Sequence, residues 1–230
     1  MTRSLIALLL LLAPSAVYAA DTTTPPAPER ILVPRATKSP RVDGKLGKTE
    51  WKDAVQVALA DGGQASLLHD GKYLYIAMVG KKPGTASVCM RGEKRLFILH
   101  ASSGLGTVTY QPKDGKWFTP RGFYFTNRDT SDSQTGIKDR KFFLSERHWF
   151  ANTYPEIAGL EREYQIALRG RREMQLVLSF MSFVGEDELD IDAWPSNVVD
   201  GCVELDLVRG FVADRQFDFQ PDTWGVVVMR

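Results

Sequence analysis

Trp117, beside Lys116 and Phe118, and Trp149, beside His148 and Phe150, carry the large π-faces that could stack on a ligand. A sugar ring offers a matching face of C–H groups, while its hydroxyls need bidentate polar partners. Arg121 and Arg128 supply fork-shaped donors that suit vicinal hydroxyls or a uronate carboxylate, and Asp129 adds an acceptor in the same stretch. These residues gather around the segment 127–136, Asn-Arg-Asp-Thr-Ser-Asp-Ser-Gln-Thr-Gly, which is too long for a mere connector and too polar for a core. The pattern predicts a ligand-binding site made of Trp117, Trp149, Arg121, Arg128 and Asp129, suited to a neutral or mildly acidic glycan.

Other chemistries find less support. His100-Ala101-Ser102-Ser103-Gly104 sets a His near two serines, but no Gly-x-Ser-x-Gly elbow is present and neighbouring strand positions face opposite ways. With no catalytic constellation, the chain is not expected to be an enzyme. His100 alternates with Leu96 and Ile98 and reads as a core residue, whereas His69 beside a turn and His148 on a helix read as surface. Glu186, Asp187, Glu188, Asp190 and Asp192 form an acidic run, and Asp129 with Asp132 a looser one. Neither has EF-hand spacing; the first reads as a solvated loop, with a calcium site as the alternative. A formal charge of +1 without a long basic run argues against nucleic acid as partner.

Arg3, the apolar run Leu5 to Leu12, and Val17 and Ala19 at the −3 and −1 positions make residues 1–19 a signal peptide. The run falls short of the ~20 residues that a membrane span needs. The protein is therefore expected to be exported, to the periplasm or beyond, without a membrane span. Residues 20–35 read as a Pro-rich flexible leader, and 36–230 as a single domain. Short alternating runs follow one another, among them 65–69, 73–79, 86–90, 95–102, 106–110, 116–119, 175–183 and 224–229. Asp70-Gly71, Pro83-Gly84 and Asp114-Gly115 punctuate them. The expected fold is all-β: a two-sheet antiparallel β-sandwich, immunoglobulin-like or jelly-roll in type, with one or two short helices. Phe142, Phe143, Glu146, Trp149 and Phe150 lie at helical offsets, which predicts helix over 138–150. Cys89 and Cys202 in an exported chain predict one disulfide, with two buried free thiols as the alternative.

Residues 40–79 hold a more specific pattern. Val42-Asp43-Gly44 reads as a strand ending in a tight turn. Gly47 caps a helical turn with Glu50 three residues on, Trp51 has a large apolar face to bury, and Asp70-Gly71 signals a hairpin. Val42, Asp43, Gly44, Leu46, Trp51, Ala54, Asp70, Tyr73, Leu74, Tyr75, Ile76 and Ala77 together resemble the family 9 carbohydrate-binding modules and the wider DOMON-like sandwiches. The resemblance implies a sandwich in which Trp51 and the Trp194-Pro195 pair are structural, and it implies saccharide binding without catalysis. It also raises a structural calcium. Some relatives carry haem on Met with His or Lys; here Met78, Met90, Met174, Met181, His69 and His100 show no diagnostic spacing, so no haem is expected. The tryptophan pair that clasps sugar in the family has no aligned motif in this chain. The expected function is an exported carbohydrate-binding module that takes a polysaccharide, oligosaccharide or cell-envelope glycan. The rivals are a periplasmic interaction or structural sandwich with a protein partner, and a haem-binding electron-transfer domain.

Overall fold

The computed structural model describes residues 27–102, 104–119, 124–126, 133–154, 159–185, 189–196, 198 and 216–230. The predicted signal peptide, most of the leader, Arg121, Arg128, Asp129, the acidic residues 186–188 and Cys202 lie outside these ranges. In chain order the strands are β1 (Arg30–Val33), β2 (Val55–Ala58), β3 (Gln64–His69), β4 (Tyr73–Val79) and β5 (Gly84–Arg91). Then come β6 (Leu96–Ala101), β7 (Leu105–Lys113), β8 (Lys116–Phe118), β9 (Tyr124–Thr126), the helix α1 (Gln134–Glu146) and β10 (Trp149–Tyr154). They are followed by β11 (Glu161–Ala167), β12 (Glu173–Phe183), β13 (Leu189–Trp194), β14 (Gln216–Phe217) and β15 (Gly225–Met229).

Two sheets face one another, as an all-β sandwich requires. The smaller runs β10-β11-β4-β3-β2, and the larger β1-β15-β12-β5-β6-β7-β8-β14 with β13 beside β12 and β9 beside β7. Among the described residues every pairing between these strands is antiparallel except that of β1 with β15. Alternation sends Leu74, Ile76, Tyr164 and Ile166 of the small sheet inward, into one core with Ala86, Val88, Leu176, Leu178 and Phe180 of the large one. The other face of the large sheet carries a second cluster, with Cys89, Ile98, Val108, Tyr110 and Val177 under Phe219 and Trp224.

Several expectations need correcting. The expected leader ends earlier, because the apolar run Ile31-Leu32-Val33 joins the large sheet beside Val227 to Met229. The helix starts at Gln134, where the Ser133 side chain accepts the Gly136 N–H at 3.0 Å, and it ends before His148, whose φ is +64°. Trp149 and Phe150 instead open β10, opposite Ile166 and Gln165. Their helical offset from Phe142 and Phe143 is a coincidence of spacing. His69 is buried, not on the surface: its Nδ1 accepts the Gly71 N–H at 3.1 Å, so Nε2 carries the proton it donates to the Arg230 carbonyl at 2.7 Å. Asp192 is not part of a solvated loop either, since its two oxygens accept the Asp61 and Gly63 N–H groups at 2.7 and 2.6 Å.

The opening motif docks on the outer face of the small sheet. Glu163 of β11 is fully buried there and accepts hydrogen bonds from the Asp43 and Gly44 N–H groups at 2.9 and 2.7 Å and from the Trp51 indole at 3.1 Å. Gly44 can close the turn because its φ is +85°. Glu161 accepts the Leu46 N–H at 3.0 Å, and Arg140 of α1 donates to the Val42 carbonyl. Burial pushes the Glu163 carboxyl up to about 7 against the pull of its N–H donors.

Three outcomes follow from this packing. Trp51→Ala should cost about 3–5 kcal/mol in chemical denaturation. Because Glu163 holds its proton more tightly when folded, its contribution is fully present below about pH 4.5 and is lost as pH rises through about 7, a change on the order of 3 kcal/mol. His100, which burial holds near 4, acts in the opposite sense below its ordinary value. The difference between parent and Glu163→Gln from pH 4.5 to 8 therefore isolates Glu163, and a difference that does not change with pH would contradict the assignment. Cys89 is fully buried, and no cysteine among the described residues is a free thiol. The expected Cys89–Cys202 bridge should appear as an intact mass unchanged by alkylation unless the protein is first reduced, and its loss should cost about 4–5 kcal/mol.

Candidate functional site

Only the first part of β7, Leu105–Tyr110, pairs with β6; Gln111–Lys113 run on past it and pair with β8 alone. Asp114 and Gly115 connect the two strands at φ +52° and +77°, the conformation of a two-residue hairpin turn. β14 adds to the far side of β8, with Gln216 opposite Phe118 and Phe217 opposite Trp117. The three segments make a small apron at the end of the large sheet.

The pleat gives this apron two unlike faces. One carries Tyr110, Pro112, Trp117 and Phe217, and it is packed. Tyr110 meets Phe217 and Phe219 edge-on, with centroids 5.2 and 5.0 Å apart, and the Trp117 indole donates to the Phe219 carbonyl at 3.0 Å. The other carries Gln111, Lys113, Lys116, Phe118 and Gln216. Phe118 is half-buried there, and the exposed Gln111 and Gln216 stand directly across from it on either side. Lys113 Nζ lies 4.9 Å from the Phe118 ring centroid, and Lys116 Nζ lies 3.3 Å from an Asp218 oxygen. An aromatic plane between two amides can stack a sugar ring and take its hydroxyls as donor and acceptor together.

This arrangement reassigns the predicted residues. Trp149 is 1% exposed and sits between the sheets, stacked on Tyr164, edge-on to Phe143, and donating to Thr107 Oγ1 at 3.0 Å. It has no ring face to offer a ligand. Trp117 lies on the opposite face of the large sheet, so the two tryptophans do not form one site. Trp117 is half-buried against the second core cluster, and its neighbour Phe118 takes the open face. Arg121, Arg128 and Asp129 lie outside the described residues. Of the residues around Phe118, Gln111 and Lys113 had one signal in the sequence, the Asp114-Gly115 turn, which pairs residue 113 with 116 and 111 with 118; Gln216, brought in by β14, had none.

A concavity of about 250 Å³ lies elsewhere, between residues 36–39 and 49–53, lined by Leu68 and by Lys38, Glu50, Lys52 and Asp53. No aromatic side chain lines it, which makes it the poorer seat for a sugar ring. Ser87 Oγ lies 3.1 Å from His100 Nδ1, and both side chains are buried. Among the described residues no three His, Cys, Asp or Glu side chains gather as a metal site, and no helix is long and apolar enough to cross a membrane.

No protein-family profile and no curated protein matches the chain. Among solved structures it is similar to a candidate carbohydrate-binding protein from Bacteroides uniformis ATCC 8492, at 10% sequence identity and a TM-score of 0.49. The alignment covers 89% of this chain and 100% of the other. A likeness that distant carries no argument about function.

The packing separates the aromatic residues by stability. Trp149→Ala should cost about 3–5 kcal/mol, whereas Phe118→Ala should cost under about 1.5 kcal/mol. Urea midpoints of the two variants check this, and equal losses would mean that Phe118 is a core residue.

Proposed function

We propose that this protein is an exported, non-catalytic saccharide-binding sandwich whose site is the Phe118 face of the β7–β8–β14 apron. The observation that carries the reading is the strand register. It sets a half-buried aromatic ring between two exposed glutamines on a face whose reverse side is packed. The resemblance of residues 40–79 to the family 9 carbohydrate-binding modules supports the ligand class, and the signal-peptide pattern of residues 1–19 supports export. The ligand is a polysaccharide, oligosaccharide or cell-envelope glycan. One stacking contact contributes about 1 kcal/mol, and desolvation of hydroxyls offsets much of the rest, so affinities fall between micromolar and millimolar. Strands hold the site, so its residues need little ordering on binding.

Calorimetry against plant and bacterial polysaccharides tests the reading. Phe118→Ala should abolish binding, Gln111→Ala and Gln216→Ala should each weaken it several-fold, and Trp117→Phe should leave it within about twofold. If no glycan binds, or if Phe118→Ala binds like the parent, the site is wrong.

A further inference from the structure

Lys113 stands where a stacked sugar would sit. Its ammonium lies 4.9 Å from the centroid of Phe118, on the face of the apron that the pleat leaves open. Lys116, directly opposite in the hairpin, already has a partner in Asp218 at 3.3 Å. Among the described residues Lys113 forms no ion pair, and its close electrostatic contact there is with the Phe118 ring. A ring face cannot hold an ammonium and a sugar at once. A sugar seated on Phe118 therefore displaces Lys113 and ends its cation–π contact. A neutral sugar returns only a hydroxyl acceptor in exchange. A sugar acid returns a carboxylate, and a charge-assisted hydrogen bond to it is roughly twice as strong as a neutral one.

We propose that Lys113 is a specificity-determining residue that makes the apron select uronate-bearing saccharides over neutral ones; this rests on the reading of the Phe118 face as the site. Phe118 supplies the stacking plane, Gln111 and Gln216 bracket the ring hydroxyls, and the displaced ammonium of Lys113 takes the carboxylate. The selectivity is electrostatic and solvent-exposed, so it weakens with added salt.

The experiment is calorimetry at low salt, with oligomers of galacturonate, mannuronate and glucuronate, each beside its carboxyl-reduced counterpart. The proteins compared are the full mature chain and its Lys113→Gln and Phe118→Ala variants. At least one acidic oligomer should bind the parent about tenfold more tightly than its reduced form. Lys113→Gln should weaken the acidic oligomer about tenfold while leaving the neutral one unchanged or tighter, because the ring is then free. This crossed response is one that a merely structural lysine would not produce. Equal binding of acidic and reduced forms by the parent, or equal weakening of both by Lys113→Gln, overturns the selectivity and leaves the platform standing. Failure of every oligomer to bind the parent, or parent-like binding by Phe118→Ala, overturns the platform and the inference with it.

Discussion

The buried carboxyl group of Glu163 ties the opening segment to the small sheet through the Asp43, Gly44 and Trp51 N–H groups. A buried polar group costs several kcal/mol unless its hydrogen bonds are met, so the turn and the indole must both arrive for β11 to be buried. The next residue, Arg162, faces the opposite way, between the sheets. It too is fully buried, and it donates to the Gly84, Gly159 and Glu161 carbonyls. Two consecutive residues of one strand thus anchor both of its faces. Glu163 fixes the opening motif outside, and Arg162 joins the start of β5 to the small sheet inside.

β7 outruns β6, and a two-residue turn folds the excess back as β8. Because side chains alternate strictly, packing Trp117 against Tyr110, Phe217 and Phe219 obliges Phe118 to face the other way. The same packing that stabilises the apron therefore presents the ring. Strand pairing on both sides of β8 holds that ring in place.

The fold was legible where alternation is strong and partners are near in sequence. β4 matches its expected span of Tyr73 to Val79, and the buried Trp51 follows from the opening motif. Legibility failed where the deciding partner lies far along the chain. His69 is buried because of Arg230, and Ile31 to Val33 form a strand because β15 lies beside them. Trp149 belongs to the core because β10 pairs with β11, which overrides its helical offset from Phe142 and Phe143. The choice between Trp117 and Phe118 depends on which face Phe217 and Phe219 cover, a fact about residues a hundred positions away. Size alone favours the tryptophan as the sugar-stacking residue; the pleat favours its neighbour.

The most direct measurement is a two-dimensional ¹H–¹⁵N spectrum of the protein titrated with a saccharide that binds it. The side-chain amide signals of Gln111 and Gln216 should shift together and saturate, while the Trp117 indole N–H, held by the Phe219 carbonyl on the packed face, should stay in place. Saturable movement of the Trp117 indole signal with both glutamine amides unmoved would contradict the Phe118 face as the site.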